Sequence, residues 1–165
     1  MSESGSPASQ LEGRFHAGDL RFLIVAARYN SQVVDVMIRS ARDCLQAHGA
    51  DPSFIEVVRV PGAWELPQAV RVGTRNGRFD AILAFGCVIR GETPHFEYVS
   101  AEATRGLGAV ARGSEIPVIF GVLTTDTEAQ ALERADPKGQ DKGREAALAA
   151  LEMVEVLGRL REGRT

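Results

Sequence analysis

The sequence predicts an α/β fold, a parallel sheet with helices on both faces. Three observations carry this expectation. Four short apolar, β-branched runs recur along the chain, and segments with helical spacing separate them. Strands that alternate with helices imply right-handed crossovers, which cover both faces of a sheet. Each run also ends in an unusual polar junction: R-Y-N-S, P-G-A-W-E, R-G-E-T-P-H and L-T-T-D-T. Ligands of open α/β sheets sit outside the carboxyl ends of the strands. The chemistry is therefore expected where these four junctions meet.

The elements follow in order. Residues 1–13 are rich in Ser, Gly and Pro and read as a mobile tail before a single domain over 14–165. Arg21–Ala27, R-F-L-I-V-A-A, is a continuous apolar run that suits a strand buried on both faces. From Gln32 to His48 the apolar residues take helical spacing, and Gly49 is a natural stop. Phe54–Val60 is a second strand, broken at Pro61-Gly62. A helix over Trp64–Arg75 tolerates Pro67 near its first turn. Asp80–Ile89 is the third strand, and a helix follows over Pro94–Arg112. Thr93 is its expected N-cap and Pro94 its first residue. Ile116–Leu123 is the fourth strand. Helices over Thr127–Ala135 and Lys142–Leu160 complete the chain, split by D-P-K-G-Q-D. No internal repeat is visible.

Composition narrows the function classes. The chain has 165 residues, 44% apolar and 25% charged, an ordinary globular balance for one domain. A chain of this size buries roughly 70% of its unfolded surface. A net charge of −3 with dispersed Lys and Arg argues against nucleic acid. Cys44 and Cys87 form no disulfide framework and read as small buried thiols. No zinc-ligand spacing, membrane-length run or signal peptide is present. A reducing, cytoplasmic setting is the expectation.

The stretch G-C-V-I-R-G-E-T-P-H-F-E-Y-V, residues 86–99, is the most informative. Gly91, Glu92 and Thr93 read as an anion cradle, because amides at a helix start point outward and glycine lets a ligand approach. They are equally an ordinary helix start without a ligand. His95 lies beside them, and an imidazole can take or give a proton near pH 7. His16 and His48 lack such a setting and read as surface residues. Tyr29, next to Asn30, offers a ring that can stack on a flat heterocycle or pack a neighbour. Glu65 can satisfy a helix dipole or accept hydrogen bonds from hydroxyls. Trp64 reads as a packing residue whose backbone makes the contacts. Phe120 faces a core on local grounds alone, and Arg134 and Lys142 complement helix ends. No dinucleotide fingerprint, Walker loop or nucleophile elbow occurs.

Read together, the junctions resemble the 6,7-dimethyl-8-ribityllumazine synthase family. The matching segments are R-Y-N at 28–30, V-P-G-A-W-E-L-P at 60–67, the 86–99 stretch, P-V-I-F-G-V-L-T-T at 117–125, A-L-E-R-A at 131–135 and D-K-G-R-E-A-A at 141–147. The resemblance implies a flavodoxin-like three-layer α/β/α sandwich with a four-stranded parallel sheet. It implies condensation of 5-amino-6-(D-ribitylamino)uracil with 3,4-dihydroxy-2-butanone 4-phosphate, without metal or organic cofactor. By motif position, Tyr29 stacks on the pyrimidine and Ala63, Trp64 and Glu65 hold the ribityl chain. Cys87, Val88 and Ile89 meet the pyrimidine edge. Glu92 and Thr93 cradle phosphate, and His95 moves protons. Phe120 and Arg134 would come from an adjacent subunit; Asn30, Gly91 and Lys142 are further candidates. The resemblance also implies a homopentamer, or a decamer or sixty-copy shell, with sites at subunit interfaces and riboflavin synthase as a partner. Phe15–Leu20 would add an edge strand to a neighbour's sheet. Tyr29 stands where the family often has phenylalanine, which leaves a flavin-binding paralogue as the rival reading. Asp141 replaces a usual asparagine and Pro137 lies in the preceding turn, a region tied to assembly size.

Overall fold

The computed structural model describes residues 10–163, so most of the expected tail, residues 1–9, lies outside the described residues. The elements run β1 (Phe22–Ala27), α1 (Ser31–Ala47), β2 (Ile55–Val60), α2 (Leu66–Arg75), β3 (Ala81–Ile89), α3 (His95–Arg112), β4 (Val118–Thr125), α4 (Glu128–Ala135) and α5 (Lys142–Arg161). Short 3₁₀ turns at Pro52–Phe54 and Ala63–Glu65 precede β2 and α2. The order of strands and helices matches the expectation, with boundary shifts of one or two residues. The expected helix from Trp64 starts instead as the 3₁₀ turn, and Pro67 lies in the first turn of α2, where its missing N–H costs nothing.

All four strands are parallel, in the order β2-β1-β3-β4. The sheet reverses direction of growth between β1 and β3, which places a ligand crevice at the carboxyl ends of those two strands. β1 is wholly buried, as its unbroken apolar run requires. Alternate residues feed two cores. Phe22, Ile24, Leu83 and Phe85 pack with Val33, Met37 and Leu45 of α1 and with Ala147 and Leu151 of α5. Leu23, Val25, Ile82 and Val122 pack with Leu66 and Val70 of α2 and Leu107 of α3. Each such side chain contributes about 1.5–3 kcal/mol on full burial. The layers press closely at Gly143, where an added Cβ would lie 2.3 Å from the Met37 carbonyl oxygen.

The described residues before β1, 10–21, form no strand within this chain. Ala17 is buried, and its N–H donates to the His48 carbonyl at 2.9 Å. Phe15 stays 47% exposed with its ring edge-on to His48. β2 is an edge strand, with Val57 and Val58 partly open to solvent. Among the described residues, no helix is long and apolar enough to cross a membrane.

Candidate functional site

The four junctions converge at the carboxyl edge of the sheet, and specific contacts tie each to another. Tyr29, just past β1, is 73% exposed and its ring lies against Gly62, where a Cβ would sit 3.0 Å from Cδ2. Gly62 is in turn held by Glu65, whose Oε2 accepts the Gly62 N–H at 2.9 Å. Asn30 joins the first junction to the third, its Nδ2 donating to the Cys87 carbonyl at 2.8 Å. Arg90 joins the third to the fourth, its Nε donating to Asp126 Oδ1 at 2.7 Å and its N–H to the Thr125 carbonyl at 2.9 Å. Gln32 Nε2 donates to Glu128 Oε1 at 2.9 Å, which closes the first junction on the fourth.

β3 runs on past β1. The paired register ends at Ala26↔Phe85, while β3 continues to Ile89 alongside Thr125 of β4. The N–H groups of Ile82 and Arg90 both point to β4, at the Pro117 and Thr125 carbonyls. The alternation of strand backbone directs the odd-numbered residues, Ile89 among them, toward the space that β1 vacates. A planar ligand seated there would meet main-chain donors and acceptors.

His95 opens α3, one residue later than expected. Pro94 occupies the N-cap position, no side chain caps the helix, and the Pro94 carbonyl accepts the Glu97 N–H at 3.0 Å. The expected Thr93 cap is therefore not formed, because Thr93 lies a residue too early to reach the first helical amides. Gly91, Glu92, Thr93, Pro94 and His95 are all exposed. The resulting surface combines free amides at a helix start, a hydroxyl and an imidazole, which suits an anion next to a proton-transfer step. Arg90 adds a cation, with its guanidinium over Phe96 and 3.5 Å from Glu97.

Trp64 departs from the packing role expected of it. Its side chain is 56% exposed, because the Ala63–Glu65 turn buries Ala63 and turns Trp64 outward. Phe120 is likewise no core residue of this chain, being 48% exposed on the edge strand β4. It pairs with Ala84 and lies roughly 17 Å of strand before Thr125, at about 3.3 Å per residue. It does not join Tyr29 within one chain. Instead Phe120 and Lys142 line one groove of about 300 Å³ along the outer edge of β4. Arg134, in the last turn of α4, bonds to the Gln130 carbonyl at 3.1 Å. Phe120 and Lys142 thus lie on the β4 flank, apart from the set at the carboxyl edge.

Both cysteines are buried and free, as expected. Burial pushes the Cys87 thiol up to about 11, with the Glu128 charge adding to the effect, and burial also raises that of Cys44. Neither is a thiolate nucleophile near neutral pH. His16 is exposed, and His48 turns its Nδ1 to the Cys44 carbonyl at 2.7 Å. A cavity of about 810 Å³ between α1 and the turn before α5 holds none of the junction residues. There Asp141 takes a left-handed conformation (φ 48°), accepts the Arg144 N–H at 3.2 Å and bonds Ser40. Aspartate shares with asparagine the ability to adopt that conformation.

Arg90, Gly62 and the Gln32–Glu128 pair were not legible as site elements in the sequence. The signal for Arg90 was its place between the third strand and the anion cradle.

Comparison with known proteins identifies the family of the chain. A family described as 6,7-dimethyl-8-ribityllumazine synthase matches residues 19–158. A relative from Halorhodospira halophila (strain DSM 244 / SL1), named 6,7-dimethyl-8-ribityllumazine synthase, is 50% identical over 142 residues, covering 86% of this chain and 91% of its own length.

Proposed function

The chain belongs to the 6,7-dimethyl-8-ribityllumazine synthase family, and from that premise we propose how its two sets of residues divide the reaction. It is a transferase of riboflavin biosynthesis. It condenses 5-amino-6-(D-ribitylamino)uracil with 3,4-dihydroxy-2-butanone 4-phosphate to give 6,7-dimethyl-8-ribityllumazine.

In the proposed arrangement the pyrimidine stacks on Tyr29, and its edge meets the main chain of Cys87, Val88 and Ile89. The ribityl chain lies along Ala63, Trp64 and Glu65, whose carboxylate keeps accepting capacity beyond its bond to Gly62. The phosphate of the second substrate sits at Gly91, Glu92 and Thr93 on the α3 start, with Arg134 as its guanidinium fork. The uracil's amine attacks the ketone and water leaves to give an imine, phosphate departs by elimination, and the second nitrogen closes the ring on the remaining carbonyl with loss of a second water. His95 moves protons through these steps. Orientation contributes roughly 7–11 kcal/mol. One acid–base group contributes about 10²–10⁴-fold, or roughly 3–5 kcal/mol. Positioning of the two substrates therefore dominates.

Phe120, Arg134 and Lys142 are proposed to complete the site of a neighbouring copy. What supports this is the separation of the β4 groove from the carboxyl edge within one chain. A ring of five copies satisfies such a head-to-tail contact by closing on itself. The Phe15–Leu20 segment is proposed to lie on a neighbour's exposed β2 edge, which covers an open ladder. Decamers, sixty-copy shells and association with riboflavin synthase are further assemblies of the same unit, in the cytoplasm.

The observation that carries the reading is the convergence of Tyr29, Ala63–Glu65, Cys87–Ile89 and Gly91–His95 on one sheet edge. The test mixes the two purified substrates with the protein and follows lumazine absorbance, with riboflavin titrated in parallel. Lumazine formation supports it. Tight riboflavin binding without lumazine would favour the flavin-binding rival that the tyrosine at position 29 keeps open.

A further inference from the structure

We propose that Asn30 is a positioning residue for the pyrimidine half of the site, extending the sheet ladder where β1 stops. The inference rests on the reading of Tyr29 and Cys87–Ile89 as that half. The β1–β3 register pairs Phe22 with Ala81 and Ala26 with Phe85. Carried forward, the same offset would send the Tyr29 N–H to the Cys87 carbonyl. The Tyr29 N–H goes instead to the Pro61 carbonyl at 3.2 Å, on the β2 side. The Cys87 carbonyl thereby loses its ladder donor inside a buried strand end, and an unmet buried carbonyl is costly. The Asn30 side chain supplies the replacement at 2.8 Å.

The backbone of Asn30 serves a different purpose from its side chain. It adopts the left-handed conformation (φ 57°, ψ 42°), which asparagine enters more readily than most residues. Its carbonyl accepts two amides of the first α1 turn, those of Val33 and Val34, at 3.0 and 3.1 Å. The side chain makes no cap bond to α1, although asparagine at this position commonly does. Its amide is thus committed to β3. The left-handed turn immediately after Tyr29 leaves that ring exposed against Gly62, and the amide fixes the turn to the strand that ends in Val88 and Ile89. One residue therefore sets the spacing between the stacking ring and the main-chain edge. The phosphate cradle, built on α3, lies outside this linkage.

The test compares Asn30→Gly with the wild type in steady-state kinetics, varying each substrate against a saturating level of the other. Glycine keeps the left-handed backbone and removes only the amide. The expected result is a KM for the ribitylaminouracil raised about tenfold, with the KM for the butanone phosphate and kcat within about twofold of wild type. Asn30→Asp keeps the shape and the turn but sets a carboxylate against the Cys87 carbonyl, and should raise the same KM at least as far. It carries the comparison should Asn30→Gly fail to fold. Unchanged KM values with only a lower Tm would overturn the inference, as would an equal rise in both KM values. A wild-type protein that forms no lumazine would sink the underlying reading and this inference with it.

Discussion

The guanidinium carbon of Arg90 lies 4.6 Å from the centroid of the Phe96 ring. Phe96 is in the first turn of α3, and Arg90 also reaches Glu97 on that turn and Asp126 past β4. One side chain thus brackets the exposed loop from Gly91 to Pro94. Arg90→Ala should raise the KM for the phosphorylated substrate several-fold and leave that for the ribitylaminouracil near wild type. Arg90→Lys keeps the charge but not the planar stack and fork, so it should restore the KM only in part. Equal effects of both substitutions on both substrates would show that Arg90 acts only on stability.

His95→Ala should lower kcat by no more than about 10²–10⁴-fold and leave lumazine formation measurable. Arg134→Ala should chiefly raise the KM for the butanone phosphate. The pair also tests the shared site. When the two inactive-side variants are unfolded together and co-assembled, about a quarter of randomly formed head-to-tail contacts unite two intact halves. Activity of the mixture well above the sum of its components is the expected outcome. No gain on mixing would mean that each chain completes its own site.

Cys87 should resist modification. Its buried thiol is held up to about 11, so at pH 7–8 a thiol reagent should label it only when the protein opens. The sign of the stability effect follows. Unfolded, the group loses its proton near its ordinary value of 9.0, while the folded form keeps it. Between about 9 and 11 the native state binds more protons, so this contribution is complete below 9 and falls as pH rises. Denaturant melts of wild type and Cys87→Ser across that interval measure it, and a smaller alkaline loss is expected in the variant.

Gly143→Ala should destabilise the fold although alanine favours helices. The new Cβ would meet the main chain of Met37 at 2.3–2.9 Å, which no rotamer change relieves. Overpacking of this kind typically costs about 1–3 kcal/mol. Guanidinium denaturation gives the value directly, and a midpoint at or above wild type would contradict the close α1–α5 crossing.

The fold was legible because its signals are local. R-F-L-I-V-A-A announces a strand buried on both faces, and β1 is one. The spacing of Val33, Met37 and Leu45 announces the inner face of α1. The site was legible at its junction motifs for the same reason. Three features escaped, one because it depends on strand order and two because a local start shifts by a residue or two. Phe120 reads as a core residue until the strand order makes β4 an edge. Trp64 reads as packing until the turn at Ala63 rotates it outward. Thr93 has the right chemistry for a cap, yet the helix begins a residue beyond its reach. Left-handed backbone at Asn30 and the Arg90 bracket leave no trace in composition or periodicity, because neither a torsion angle nor a nonlocal contact has a residue pattern of its own.

The overhang of β3 beyond β1 has an evolutionary consequence. A ligand edge matched by peptide N–H and C=O groups is matched by atoms that nearly every codon supplies. Drift at position 89 would change the side chain there and spare the pattern of donors and acceptors, with proline the exception because it carries no N–H. Selection on recognition would then fall on whatever keeps the strand extended at the right height, so the residues that betray this contact to a comparative geneticist should be its neighbours rather than the ones that make it.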